Sequence, residues 1–320
     1  SNIFADAALY LNIYIGGLVF LFLYNICTGV FNSLGDSRTP LVFLIGSSLG
    51  NIGLDLLFVT VFDMGVAGVA WATFIAQGAA CLLSLATLRR RLSRLETPEK
   101  SPLFSLEMLG RISRIAVPSI LQQSFISVGN MFIQGLVNGY GSSVIAGYSA
   151  AVKLNTFAIT SFTTLSNGLS SFSAQNLGAG KIDRVRRGFW SGCLLAVCVV
   201  APFTLVYGLF TDAAVRLFLD TTSRYALEIG CDFLRLVAPF YLVISVKLMA
   251  DGILRGAGAM KSFMVATFTD LMLRGILAFL LSARLGTDGI WLSWPIGWTA
   301  AAVLSCAFYF AGRWKTRFLR

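Results

Sequence analysis

Residues 188–210 read GFWSGCLLAVCVVAPFTLVYGLF, a run without one charged side chain. At 1.5 Å of rise per residue, a helix of this length crosses the hydrocarbon core of a bilayer, which takes about 20 apolar residues. Eight further stretches pass the same test: 9–31, 39–62, 66–88, 115–138, 143–176, 229–254, 262–283 and 290–312. Beyond these runs, only 12% of the 320 residues are charged. A soluble domain wets its surface with about 25%. Lipid is therefore the expected solvent, and the expected fold is all-α: a polytopic transmembrane bundle with nine spans in this chain.

The same composition narrows the chemistry. There is no histidine, the commonest metal ligand and the usual general base. The cysteines, Cys27, Cys81, Cys193, Cys198, Cys231 and Cys306, have no CxxC spacing and lie in apolar runs, so they read as small buried hydrophobes. No nucleophile–base, zinc or phosphate-loop motif occurs. The expectation is a protein that is not an enzyme, with no metal site and no cofactor.

Of the 25 Lys and Arg, eighteen fall in loops on one side of the expected spans and three, Arg216, Arg224 and Arg284, on the other. The basic side is the cytoplasmic one. It holds Arg38, the cluster from Arg89 to Arg114, Lys181 to Arg187, Arg255, Lys261 and the C-terminus. The net charge of +10 thus belongs to a face meeting anionic lipid, not to nucleic acid. The longest basic connection, 89–110, carries Pro98 and Pro102 and reads as a cytoplasmic linker. A second long connection, 211–222, alternates apolar and polar residues and reads as lying on the membrane surface.

The chain also repeats itself. Thr28-Gly29-Val30-Phe31-Asn32-Ser33-Leu34-Gly35-Asp36-Ser37-Arg38 sits where a span meets the basic side, and so does Asp251-Gly252-Ile253-Leu254-Arg255-Gly256-Ala257-Gly258-Ala259-Met260-Lys261. A shift of 223 residues superposes Gly29 on Gly252, Gly35 on Gly258 and Arg38 on Lys261; with one inserted residue Gly65 falls on Gly289. The shift spans six helices, an even number, so the copies are parallel repeats. The expected organisation is a partial N-terminal lobe over 1–88 with three spans, the linker over 89–110, and a C-terminal lobe over 111–320 with six. On this reading the chain is an N-terminally truncated twelve-helix protein.

These features together resemble the multidrug and toxic compound extrusion (MATE) family. Ser33-Leu34-Gly35-Asp36-Ser37-Arg38-Thr39-Pro40 is similar to the family's loop between helices four and five, and Asn51-Ile52-Gly53-Leu54-Asp55 to its fifth helix. Ala174-Gln175-Asn176-Leu177-Gly178-Ala179-Gly180-Lys181 resembles the loop after its eighth helix, and Leu254-Arg255-Gly256 the end of its tenth. The resemblance implies two lobes with alternating access, exporting small amphipathic or cationic molecules in exchange for H+ or Na+. It also implies a monomer in the bacterial inner membrane with a cytoplasmic C-terminus. Some members carry acids in helices seven and ten, where this chain has Ser124-Phe125-Ile126 and Ile244-Ser245. The coupling ion is therefore not readable from the residues.

Polar side chains inside the spans are the candidate site. In 115–138, Gln123, Ser127, Asn130, Gln134 and Asn138 recur at three- and four-residue steps; in 143–176, so do Lys153, Thr156, Thr160, Thr164, Asn167 and Ser171. Amides cannot face acyl chains unpartnered, so the stripes line either a wet cavity or a hydrogen-bonded helix interface. Lys153 would oppose cationic substrates unless an acid such as Asp270 neutralises it. The mid-membrane charges are the coupling or gating candidates, because each is costly in lipid. Asp270 and Arg274 stand four residues apart as an ion pair or a gate. Lys247 and Asp251 repeat the spacing, with Lys247 able to reach toward the interface. Asp55 is alone in its span. The alternative function is a flippase for lipid-linked precursors on the same plan.

Overall fold

The computed structural model describes residues 2–94, 104–219 and 223–315. It is helical throughout the described residues, and its contacts divide it into two compact units, Ser1–Leu103 and Phe104–Arg320.

The first unit holds α1 (Asn2–Ser33), α2 (Arg38–Leu56) and α3 (Gly65–Leu92), with a π-helical turn, Leu57–Val61, prolonging α2. α3 packs along α1 and against α2. The second unit holds α4 (Leu106–Asn138), α5 (Ser142–Gly178), α6 (Ile182–Leu209), the short α7 (Thr211–Arg216), α8 (Arg224–Val237), α9 (Tyr241–Gly256), α10 (Met260–Leu285) and α11 (Thr287–Ala311). α5 runs through its middle, packed on α6, α8 and α9, while α11 lies against α8, α9 and α10. α8 and α9 form one span broken at the 3-10 turn Ala238–Phe240. Pro239 has no N–H to donate there. The Thr204 hydroxyl also donates to the Ala238 carbonyl at 3.3 Å, beside the Tyr241 N–H that already serves it.

Seven helical stretches among the described residues are long and apolar enough to cross a membrane. α4 and α5, with 33 and 37 residues, are longer than most of them but fall short on apolarity. The nine expected spans thus divide into seven apolar ones and two whose length suffices but whose polar stripes set them apart. Outward faces are richly apolar: Leu194 is 68% exposed and Leu209 73%. Such surface is stable against acyl chains and would drive aggregation in water.

Helical structure invades both flanks of the expected linker, since α3 continues to Leu92 and α4 begins at Leu106. The Ser105 hydroxyl accepts from the Met108 N–H and caps α4. Pro98, Lys100 and Pro102 lie outside the described residues, as do Arg317 and Arg320. In the connection expected on the membrane surface, residues 220–222 lie outside them too. Thr211, Ala214 and Val215 of α7 are buried, while Asp212, Ala213, Arg216 and Leu217 are exposed.

The repeated Gly-rich segments fold alike. α1 ends with the Asp36 N–H donating to the Phe31 carbonyl at 2.9 Å and the Gly35 N–H to Asn32 at 3.1 Å. α9 ends with the Ala259 N–H donating to Leu254 at 2.8 Å and the Gly258 N–H to Arg255 at 2.9 Å. Both are Schellman turns, closed by a left-handed residue that glycine adopts without strain: φ is 79° at Gly35 and 68° at Gly258. The 223-residue register holds at every bonded atom. It fails at Gly65, expected to match Gly289. Gly289 is pressed on the Leu281 backbone, and the glycine in that role in the first unit is Gly68, against Phe58.

Candidate functional site

The second unit encloses a cavity of about 580 Å³ between α4, α5, α9, α10 and α11. That is the size of a small-molecule site. Its position follows from how the helices approach. α9 meets α5 through Gly252 and Gly256; a Cβ at Gly252 would stand 2.6 Å from the Ser166 carbonyl oxygen. Small residues let these backbones close at one end, where the Ser166 hydroxyl donates to the Leu248 carbonyl at 2.6 Å. Aromatic side chains close the other: Tyr148 stacks on Trp291, and Phe233 sets its edge against Trp291 and Trp294.

Six of the eleven stripe residues line this space: Gln123, Asn130 and Gln134 from α4, and Thr156, Thr160 and Asn167 from α5. Ser127, Asn138, Lys153, Thr164 and Ser171 do not. The Ser127 hydroxyl donates back to the Gln123 carbonyl at 3.1 Å, which satisfies it within its own helix. Lys153 is exposed and stands on the flank of α5. A helix turns about 100° per residue. The wetted face centres on Thr156, Thr160 and Thr163, which rotates Lys153 and Thr164 out of it.

The charged candidates Lys247, Asp251, Asp270 and Arg274 all line the cavity. Lys247 does not reach for the interface. It is buried and paired with Asp251 at 2.8 Å, and Asp251 also accepts from the Ser305 hydroxyl at 2.6 Å. Asp270 and Arg274 make no ion pair. The Arg274 guanidinium lies over the Trp294 ring, 4.5 Å from its centre. The Asp270 Oδ1 atom has no hydrogen-bond partner among the described residues and points at Gly297, where a Cβ would stand 2.6 Å away. Asp55 belongs to the first unit, in α2 one residue before Leu56 gives way to the π turn, and its Oδ1 is also unpartnered.

Several lining residues were not anticipated. Arg255 donates to the Ser166 hydroxyl at 3.1 Å and to Asn167 Oδ1 at 2.9 Å. It reads in sequence as a cytoplasmic loop cation, and only the packing of α9 on α5 turns it inward. Asn155, accepting from the Tyr241 hydroxyl at 3.1 Å, and Gln122, 3.5 Å from the Thr267 hydroxyl, flank the stripes and extend them. Trp294 and Trp298 carried no polar signal. Of the cysteines, Cys27, Cys81 and Cys231 are buried as expected, whereas Cys198 is exposed on α6. Among the described residues no cluster of His, Cys, Asp and Glu could hold a metal.

Residues 118–280 match a family model described as MatE. A probable multidrug resistance protein, YpnP of Bacillus subtilis, is 32% identical over 311 residues, covering 97% of this chain and 69% of that one. The probable multidrug resistance protein NorM of Thermotoga maritima is 21% identical over 99% of this chain and 69% of its own. In structure, the Vibrio cholerae MATE transporter VcmN superposes with a TM-score of 0.90 at 19% identity, covering all of this chain and 73% of the other. A multidrug-resistance MATE transporter in an outward-facing conformation gives 0.86, over 95% and 68%. With a relative of this identity and coverage, a family model spanning its central helices and a matching bundle, the chain is a multi-pass membrane protein belonging to the MATE family of transporters.

Proposed function

We propose that this protein exports small amphipathic molecules across the bacterial inner membrane, in exchange for H+ or Na+ and by alternating access, with its C-terminus in the cytoplasm. One observation carries the proposal: the two most polar long helices, α4 and α5, turn amide and hydroxyl side chains into a cavity of small-molecule size. Amides in that setting hold water or a ligand, because a dry apolar wall would leave them unsatisfied. The coupling ion would act on carboxylates. Asp55 and Asp270, each with an unpartnered buried oxygen, are the candidates that a proton or cation would satisfy. Asp251 is already held by Lys247 and Ser305 and is the weaker candidate. The names of the relatives support a multidrug substrate range, and no observation favours a flippase for lipid-linked precursors.

The test is transport in proteoliposomes with the pH and Na+ gradients imposed separately and efflux of fluorescent amphiphiles followed. One gradient is expected to drive transport, and Asp270→Asn to weaken the response to it. Transport driven by neither gradient would remove the antiport mechanism.

A further inference from the structure

The charges around the cavity do not suit a cationic substrate. Three cationic side chains, Lys247, Arg255 and Arg274, line it against two carboxylates, Asp251 and Asp270. The Lys247–Asp251 pair neutralises itself at 2.8 Å. What remains is two guanidiniums facing one carboxylate. The lining is therefore net positive whether Asp270 is ionised or carries a proton.

The unsatisfied groups point the same way. Arg274 is only 6% exposed, yet its guanidinium meets the face of Trp294 and has no hydrogen-bond acceptor among the described residues. Arg255 Nε and Trp294 Nε1 are buried donors without acceptors. A buried guanidinium carries five N–H donors in a planar fork that matches an oxyanion. These donors open on the cavity, where an oxyanion can take the place of water as their acceptor. Half-buried apolar side chains, Ile126, Ile159 and Leu271, line the same space and offer an apolar wall.

The geometry points to an anionic amphiphile as the ligand of this cavity, its acid group taken by Arg274 and its apolar body laid against Ile126, Ile159 and Leu271. This rests on the cavity being the ligand site of the proposed exporter, but it concerns binding and needs no gradient. The acid group is a carboxylate, sulfonate or phosphate. It belongs either to a soluble organic acid or to a lipid headgroup, which share this chemistry.

Equilibrium binding to the purified full chain in an uncharged detergent tests it. A matched pair of ligands is used, pyrene-1-sulfonate and a pyrenyl trimethylammonium, read by quenching of tryptophan fluorescence. The sulfonate is expected to bind at least about tenfold more tightly than the ammonium. Arg274→Gln should weaken sulfonate binding by about ten- to a hundredfold, the loss of one charged hydrogen-bonding partner. Asp270→Asn should strengthen it, and Lys153→Gln, on the exposed flank of α5, should leave it unchanged. Opposite shifts at two neighbouring positions cannot come from damage to the fold. Repeating the titration in nanodiscs of phosphatidylglycerol and of phosphatidylcholine separates the sources. Competition by the anionic lipid assigns the acid to a headgroup, and its absence assigns it to a soluble acid. Equal or tighter binding of the ammonium, no binding of either ligand, or shifts of the same sign at Arg274 and Asp270 would overturn the inference. Proteoliposomes that fail to transport under any gradient would remove the export function and leave this binding result standing.

Discussion

The turn from α1 to α2 and the turn from α9 to α10 are the same backbone device in different company. Both close with a 6→1 hydrogen bond around a left-handed glycine, in register over 223 residues. Around the first, Gly29 has nothing within 4 Å of an added Cβ, and the turn is tied by an ion pair between Arg91, 48% exposed, and Asp36 at 2.6 Å. Around the second, Gly252 is pressed on the α5 backbone, and a buried pair, Lys247–Asp251, stands one helical turn earlier on α9. Local sequence thus specifies the turn, while its surroundings decide whether the neighbouring glycine is a packing necessity and whether charge is buried.

The sharpest way to break this comparison is at the buried pair. Lys247→Met leaves a carboxylate enclosed without its cation and should cost about 3–5 kcal/mol of stability. The double change Lys247→Met with Asp251→Leu should recover most of it. Thermal unfolding of the purified protein in detergent gives both values. If the single change is as mild as the double one, the pair is not desolvated and the two turns sit in similar surroundings.

The glycines come next. Gly252→Ala places a methyl 2.6 Å from the Ser166 oxygen and should destabilise by about 1–3 kcal/mol, whereas Gly29→Ala meets open space and should gain up to about 1 kcal/mol of helix propensity. The same unfolding assay compares them. Opposite signs are expected, and equal losses would mean that both glycines serve packing.

The smallest effect is expected at Asp36. The Thr39 N–H and hydroxyl, and then Arg91, hold its carboxyl below the usual carboxylate range. A group with a lowered pKa in the folded state contributes stability above its unfolded value of about 3.9, and that contribution fades as pH falls through the folded value. Asp36→Asn should therefore narrow its stability gap from the parent as pH drops from about 5 to below 4, while changing little of the cavity's ligand preference. A gap that stays constant through this window would show that the carboxylate is not held by these partners.

How far the residues alone disclose this arrangement varies with the scale of the interaction. Residues 188–210 announce a membrane helix because partition into lipid is close to additive per side chain. Gly35 and Gly258 announce their turns because the left-handed conformation is a local property. The polar stripes of α4 and α5 were legible as stripes, since helical period is local too. Their rotation was not: Lys153 and Ser127 fall inside a three- and four-residue pattern and yet outside the cavity, because the wet face is set by where α9, α10 and α11 pack. The meeting of Arg274 with Trp294, and the turning of Arg255 inward, depend on residues 20 and 88 positions apart.

By itself, then, the sequence determined the solvent of this protein, its membrane helices, the repeated glycine segments, and which helices are too polar to be surrounded by lipid. Only the tertiary structure decided which of those polar groups share one cavity, which charges neutralise each other and which guanidinium has no acceptor among the described residues. The first set follows from free energies that each residue contributes nearly alone. The second follows from desolvation and hydrogen bonding between helices distant in the chain, where a fraction of a turn separates a buried partner from an exposed one.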